Sequence, residues 1–153
     1  SEVIRMRIFN KQGFSVLEAI ASVFIISLVF TTAFTIVVAM RNRAVATEEQ
    51  RYAIEAGSAI RDEIVQSYAY LTIAPWILTG EKIVDYQNCS DLGVPISCSL
   101  FNYETNNKIY DDNVTLVFLA PTAESISYKV IHFQVIIEYY KGKTLVLEGI
   151  IYE

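Results

Sequence analysis

Between Ala19 and Met40 the chain carries no charged residue, a run of 22 positions. As an α-helix rising 1.5 Å per residue, that run would be about 33 Å long, enough to cross a bilayer core of about 30 Å. Basic residues flank it on both sides, Arg5, Arg7 and Lys11 before and Arg41 and Arg43 after, so the positive-inside bias is weak. A secretory signal peptide needs an apolar core of about 7–15 residues followed by a small-residue cleavage site. This run is too long, and Ala39-Met40-Arg41 is a poor place to cut. The hydrophobic fraction of 53% and mean hydropathy of +0.35 are high for a soluble protein, but the excess sits in this one run. The rest carries most of the charge and reads as a single water-soluble domain. A net charge of −5 argues against a partner bound through bulk cationic electrostatics, and no direct nucleic-acid site is identifiable.

Glu18 stands immediately before the uncharged run, as the fifth residue of an apolar segment opening at Phe14. A carboxylate at the centre of a membrane helix costs about 2.5–3.5 kcal/mol on insertion scales, and less near the interface. One reading has Glu18 snorkel to the headgroups. The other gives it a cation when copies assemble. A cut between Gly13 and Phe14 would free an α-ammonium on Phe14, at the depth of a neighbour's Glu18. Pairing would neutralise both groups, whereas either one left buried alone would be costly. Glu18 would then set the axial register between subunits.

The string Lys11-Gln12-Gly13-Phe14-Ser15-Val16-Leu17-Glu18-Ala19, followed by a long apolar helix, resembles the N-terminus of type IV pilins and pseudopilins. The likeness covers about residues 5 to 70. It implies a leader (1–13) removed after Gly13 by a membrane prepilin peptidase, and N-methylation of Phe14. Met6 offers an alternative start, giving a leader of Met6 to Gly13. The likeness also implies a transmembrane and assembly helix (14–40), an amphipathic head helix (41–71) and a globular β head (72–153). The chain would be a single-pass membrane protein before assembly and part of an extracellular, cell-surface filament afterwards. Its partners would be other pilin subunits, the prepilin peptidase and the inner-membrane assembly platform.

Many major pilins break the membrane segment with proline or glycine, and 27–35 contains neither. Ser27, Thr31 and Thr35 recur there every four residues on one face. Their hydroxyls can bond back to carbonyls of the preceding turn or form a helix–helix seam. The missing breaker fits a minor pilin or pseudopilin of a pilus, DNA-uptake or type II secretion system better than a bulk subunit. Beyond Arg41, Tyr52, Ala56, Ile60, Ile64 and Tyr68 repeat at four-residue spacing, so the helix should continue with one apolar stripe to Leu71. Pro75 should end it between 72 and 75.

The stripe needs a partner, and the C-terminal third supplies one. Val114 to Leu119 is a short apolar run, and Ile131, Phe133, Val135, Ile137 and Tyr139 alternate with His132, Gln134 and Glu138. That period of two describes a strand with one buried face. Lys141-Gly142-Lys143 is a turn, so 126–152 reads as a hairpin. The expected fold is α+β: a long N-terminal helix on a C-terminal antiparallel sheet of three to four strands. Tyr128, Tyr139, Tyr140 and Tyr152 fall on this hairpin and should be half-buried.

The segment 72–113 reads as irregular and holds both cysteines. Cys89 and Cys98 would close a short loop, and the head implied by the resemblance lies outside the cytoplasm, so a disulfide is expected over two free thiols. Two cysteines and one distant histidine do not make a four-ligand metal set, and no cofactor is expected. Asn88-Cys89-Ser90 and Asn113-Val114-Thr115 match the glycosylation triplet. Glu48-Glu49 and Asp111-Asp112 should face solvent. His132 is the only histidine, without a nucleophile motif or phosphate-cradling loop, and no enzyme is expected. The sequence points to a filament subunit; the alternative is a signal-anchored monomeric extracytoplasmic binding domain, which would keep its first thirteen residues.

Overall fold

The computed structural model describes residues 15–105 and 107–153. The chain divides into two compact units between Arg43 and Ala44. The first helix, α1 (Val16–Ser67), contributes to both. In the first unit α1 stands exposed. Its most apolar 18-residue window has mean hydropathy 2.5, and none of it is buried. Phe30 and Phe34 are 72% and 70% exposed.

In the second unit α1 buries a stripe. Ala53, Ala56, Gly57, Ile60 and Ile64 are shielded from solvent, with Tyr52, Val65 and Tyr68 packed at its borders. The expected four-residue ladder is present, widened by Ala53 and Gly57. At Gly57 helix and sheet approach closely. A Cβ there would lie 2.4 Å from Leu147 Cδ1 and 3.0 Å from Ile137 Cδ1, so only glycine fits without displacing both.

The helix ends at Ser67, four residues before the expected Leu71, with no glycine or proline at the break. Ala69 is extended (φ −80°, ψ 151°), and a second helix, α2 (Tyr70–Ile77), starts there. Two tertiary gains account for it. The Ser97 backbone N–H donates to the Tyr68 hydroxyl at 2.8 Å, and the redirected α2 brings Ile73 and Ile77 into the core. Pro75 lies inside α2 rather than ending a helix. It removes the amide that would bond the Leu71 carbonyl, but Leu71 is 69% exposed and water can serve that oxygen.

The remaining elements are β1 (Lys82–Asp85), a 3₁₀ turn (Cys98–Phe101), β2 (Glu104–Thr105), β3 (Lys108–Ile109), β4 (Val114–Phe118), α3 (Ala123–Ser127), β5 (Val130–Tyr139) and β6 (Lys143–Tyr152). Strands β1, β4, β5 and β6 form one sheet in that order, antiparallel throughout, and β2 pairs with β3. The α+β fold with a four-stranded antiparallel sheet is therefore as expected. On β5, Ile131, Phe133, Val135 and Ile137 are buried while His132 and Glu138 are exposed.

Two expectations are corrected. The segment 72–113 is not wholly irregular: its apolar residues Ile73, Ile77 and Val84 are core residues and draw their neighbours into α2 and β1. The hairpin begins at Val130 rather than 126. Thr122 and Ser125 form a reciprocal cap that starts α3, and Lys129 turns the chain at φ 54°. Tyr128 accordingly stands 77% exposed in that turn, and Tyr152 is 68% exposed, so half-burial fails for both. At the other end Lys141 (φ 55°) and Gly142 (φ 75°) make the β5–β6 turn.

Candidate functional site

The first unit carries the charged entry to the apolar run. Ser15 stands just before α1, and the Glu18 backbone N–H donates to its Oγ at 3.1 Å. Ser-x-x-Glu is the pattern of a helix N-terminus in which the serine caps the third helical residue. Glu18 lies in the first helical turn, where a carboxylate gains about 0.3–1 kcal/mol from the exposed amides. This local role was legible in the sequence, because the spacing Ser15–Glu18 is the signal. It does not exhaust the residue: Glu18 is exposed and its carboxylate has no cationic partner among the described residues. The cleavage site Gly13–Phe14 and the methylation site Phe14 lie outside the described residues.

Further along, the hydroxyls back-bond. Ser27 Oγ donates to the Val23 carbonyl, Thr31 Oγ1 to that of Ser27, and Thr35 Oγ1 to that of Thr32, each at 2.8 Å. Ser22 and Thr32 do the same. Each hydroxyl proton is thus satisfied inside one helix, which lets a polar side chain sit in a nonpolar surrounding at small cost. The oxygen lone pairs stay free to accept from a second helix.

In the second unit Cys89 and Cys98 are joined, as expected, with Cα atoms 5.3 Å apart. The bridge fastens a loop whose other anchor is Asn88. The Asn88 side chain accepts from the Asp85 N–H at 2.9 Å and donates to the Ile83 carbonyl at 3.3 Å, and so covers the outer edge of β1. Asn113 Nδ2 donates to the Glu138 carbonyl at 3.1 Å. Both amide side chains of the glycosylation triplets are thus engaged in holding the fold.

The expectation for Glu49 is corrected as well. It is half-buried rather than solvent-facing, because Lys108 on the β2–β3 hairpin reaches α1 and donates to its carboxylate at 2.6 Å. Lys108 Nζ also sits 5.0 Å from the Tyr110 ring centre. Tyr110 is fully buried, and its hydroxyl has no hydrogen-bond partner among the described residues. Burial raises its pKa above the usual tyrosine value, opposed by the Lys108 charge and reinforced by Glu49, Tyr52 and Glu55. Sequence reading missed this cluster, since a contact between residues 59 positions apart leaves no local pattern.

His132 is exposed on β5, at a groove of about 520 Å³ that Arg61, Gln134, Glu148 and Gly149 also line. Gln134 Nε2 and Glu148 Oε1 are 3.5 Å apart. No serine or cysteine lines it. Among the described residues no three His, Cys, Asp or Glu side chains gather to hold a metal.

Searches against protein-family models, curated proteins and solved structures return no match to the chain. The architecture is pilin-like: a long N-terminal helix, apolar and membrane-capable in its first half, whose later half packs on an antiparallel sheet.

Proposed function

We propose that this chain is a structural subunit of a type IV pilus-like filament, a minor pilin or pseudopilin, and not an enzyme. One observation carries the reading. In the first unit the apolar side chains of α1 find no partner among the described residues, and a single carboxylate, Glu18, stands in its first turn. Such a surface is stable only in lipid or against other helices. A membrane would satisfy it before assembly, and a bundle of neighbouring copies afterwards.

In this reading a prepilin peptidase cleaves after Gly13 and the new Phe14 terminus is methylated. The Phe14 ammonium, which methylation leaves charged, then pairs with Glu18 of the adjacent subunit and fixes the stagger between helices. Ser27, Thr31 and Thr35, their protons already spent on backbone carbonyls, present oxygens to the neighbouring helix. An assembly platform would draw the subunit from the inner membrane, and the head would lie on the outside of the fibre. Oxidation of Cys89 and Cys98 fits that location.

The test separates pairing from capping. Glu18→Gln keeps the side chain's size and the backbone N–H that donates to Ser15 Oγ but has no charge. If Glu18 pairs with a neighbour's terminus, Glu18→Gln and Glu18→Ala both lose incorporation into sheared fibres while still inserting in the membrane. Normal incorporation of Glu18→Gln would leave only the capping role. N-terminal sequencing of the mature protein supplies the independent check, and a terminus upstream of Phe14 would favour the signal-anchored binding domain.

A further inference from the structure

We propose that Cys98 is the sulfur through which the Cys89–Cys98 bridge exchanges with a thiol–disulfide oxidoreductase, while Cys89 is the enclosed sulfur that closes the bond. The inference concerns the second unit alone and stands whether or not the chain enters a filament.

The two sulfurs occupy different surroundings. Cys89 is 4% exposed and belongs to the core cluster with Val84, Ile96 and Leu100. Its Sγ lies 3.3 Å from the Tyr86 carbonyl oxygen, and its backbone N–H donates to the Asp85 carbonyl at 3.0 Å. Cys98 is half-buried, set between the exposed residues Ser97 and Ser99 at the start of the 3₁₀ turn. Ser90, itself exposed, places its Oγ 3.2 Å from Cys98 Sγ. With the sulfurs bonded to each other, only the hydroxyl can donate in that contact.

Exchange begins when a thiolate attacks one sulfur of a disulfide, in line with the bond, and expels the other. Two effects pull in opposite directions here. The Ser90 hydroxyl would stabilise Cys98 as the departing thiolate, which favours attack at Cys89. Access favours attack at Cys98. Access decides, because a hydrogen bond to the leaving sulfur acts only on an encounter that takes place, and Cys89 is closed to an incoming thiolate. Attack at Cys98 releases Cys89 as a thiolate inside the core, facing the Tyr86 carbonyl, where burial and the carbonyl dipole both disfavour the charge. The bridge is therefore easier to make than to break.

In the oxidising direction the Cys98 thiolate attacks the disulfide of the oxidoreductase, forming a mixed disulfide and releasing one enzyme thiolate. The Cys89 thiolate then attacks Cys98 Sγ, forming the bridge and expelling the second enzyme thiolate. The chain loses two electrons and two protons, and the enzyme disulfide becomes a dithiol. Ser90 stands where its hydroxyl stabilises the thiolate that starts the sequence. The exchange reaches beyond the loop, since Ser97 beside Cys98 holds Tyr68 at the break between α1 and α2. A mixed disulfide on Cys98 would stand one residue from that joint.

The test treats the folded, oxidised full chain in detergent with reduced glutathione. The reaction is stopped with acid at successive times, and tandem mass spectrometry locates the adduct. The first adduct is expected on Cys98, at least tenfold over Cys89, and in urea the two should come within about threefold of each other, because unfolding removes the shield from Cys89. A second measurement uses an oxidised thioredoxin-fold oxidoreductase as the probe. Cys89→Ser should hold a mixed disulfide with it through Cys98, and Cys98→Ser at least tenfold less through Cys89, with near-ultraviolet circular dichroism showing both variants folded. Glutathione arriving first or equally on Cys89 of the folded chain overturns the proposal. So does a Cys98 preference undiminished in urea, no adduct on either sulfur while the head stays folded, or equal capture by the two folded variants.

Discussion

The two units use the same kinds of side chain to opposite ends. Phe30 and Phe34 in the first are about as exposed as a helix allows, whereas Phe101, Phe118 and Phe133 in the second are almost wholly buried. The aromatic payload is the same in kind; what differs is where the partner comes from. In the second unit the chain folds back to supply it, so Phe118 stacks on Phe133 at 5.6 Å and meets the Trp76 edge at 5.5 Å. In the first unit the apolar window is left exposed by the described residues, and the helix depends on local hydrogen bonds and on its surroundings. Internal packing is therefore concentrated in the second unit, and the first leaves its apolar surface exposed.

The sharpest way to break that contrast is to make equivalent truncations in both units. Phe133→Ala should cost about 3–5 kcal/mol, since the ring is buried and stacked. Gly149→Ala attacks the same point from across the sheet. Gly149 pairs with Phe133, and a Cβ there would lie 2.2 Å from the ring's Cζ, with little room for the ring to retreat. The expected cost is about 1–3 kcal/mol. Phe34→Ala should leave head unfolding in detergent within about 0.5 kcal/mol of the parent. Urea unfolding followed by tryptophan fluorescence reports on the head through Trp76, the only tryptophan. A Phe34→Ala loss comparable to that of Phe133→Ala would show the two units to be one cooperative body.

Next in size is the disulfide. Its ends are nine residues apart, so in the chain-entropy view it removes about 2.5–3 kcal/mol of unfolded-state freedom. Replacing both cysteines by serine should lower head stability by about that amount. Because Asn88 precedes Cys89, the replacement should also loosen the amide plug on β1, visible as faster hydrogen exchange at Asp85. Protection at Asp85 unchanged in the double variant would mean that Asn88 holds its place without the bridge.

Legibility followed the same division. The first unit was readable because its determinants are local: an uncharged run long enough to span a bilayer, hydroxyls at helical spacing, and a lone carboxylate. The Ser15–Glu18 cap was also local, and reading Glu18 only for its charge passed over it. In the second unit, periodicity gave the stripe from Tyr52 to Tyr68 and the alternation on β5, since both register one buried face. The break at Tyr68-Ala69 could not be read, because it is held by Ser97 and by what α2 reaches afterwards. Proline at 75 was misleading for a physical reason, as Leu71, whose carbonyl loses its amide partner, is exposed to water. The Asn88 plug and the Glu49–Lys108 pair are side-chain choices made by tertiary proximity, with no spacing rule to announce them.

The smallest effect tests where the head is least well satisfied. Tyr110 buries a hydroxyl without a partner among the described residues, so Tyr110→Phe removes a desolvated polar atom and should leave stability unchanged or raise it by up to about 1 kcal/mol. The alkaline limb gives the discriminating signature. Its folded-state pKa is raised, chiefly by burial, so the folded protein holds the phenolic proton more tightly than the unfolded chain. The stabilising contribution is thus full below the ordinary tyrosine pKa of about 10 and is lost as pH rises through the folded value. Parent and Tyr110→Phe proteins should unfold with similar midpoints at neutral pH and diverge above about pH 10, the parent falling more steeply. Parallel curves across that range would mean that the hydroxyl reaches solvent. The β2–β3 hairpin over Lys108 and Glu49 would then open as readily as the first unit stands exposed, and the boundary between a self-satisfied head and an externally satisfied helix would have to be drawn further into the head.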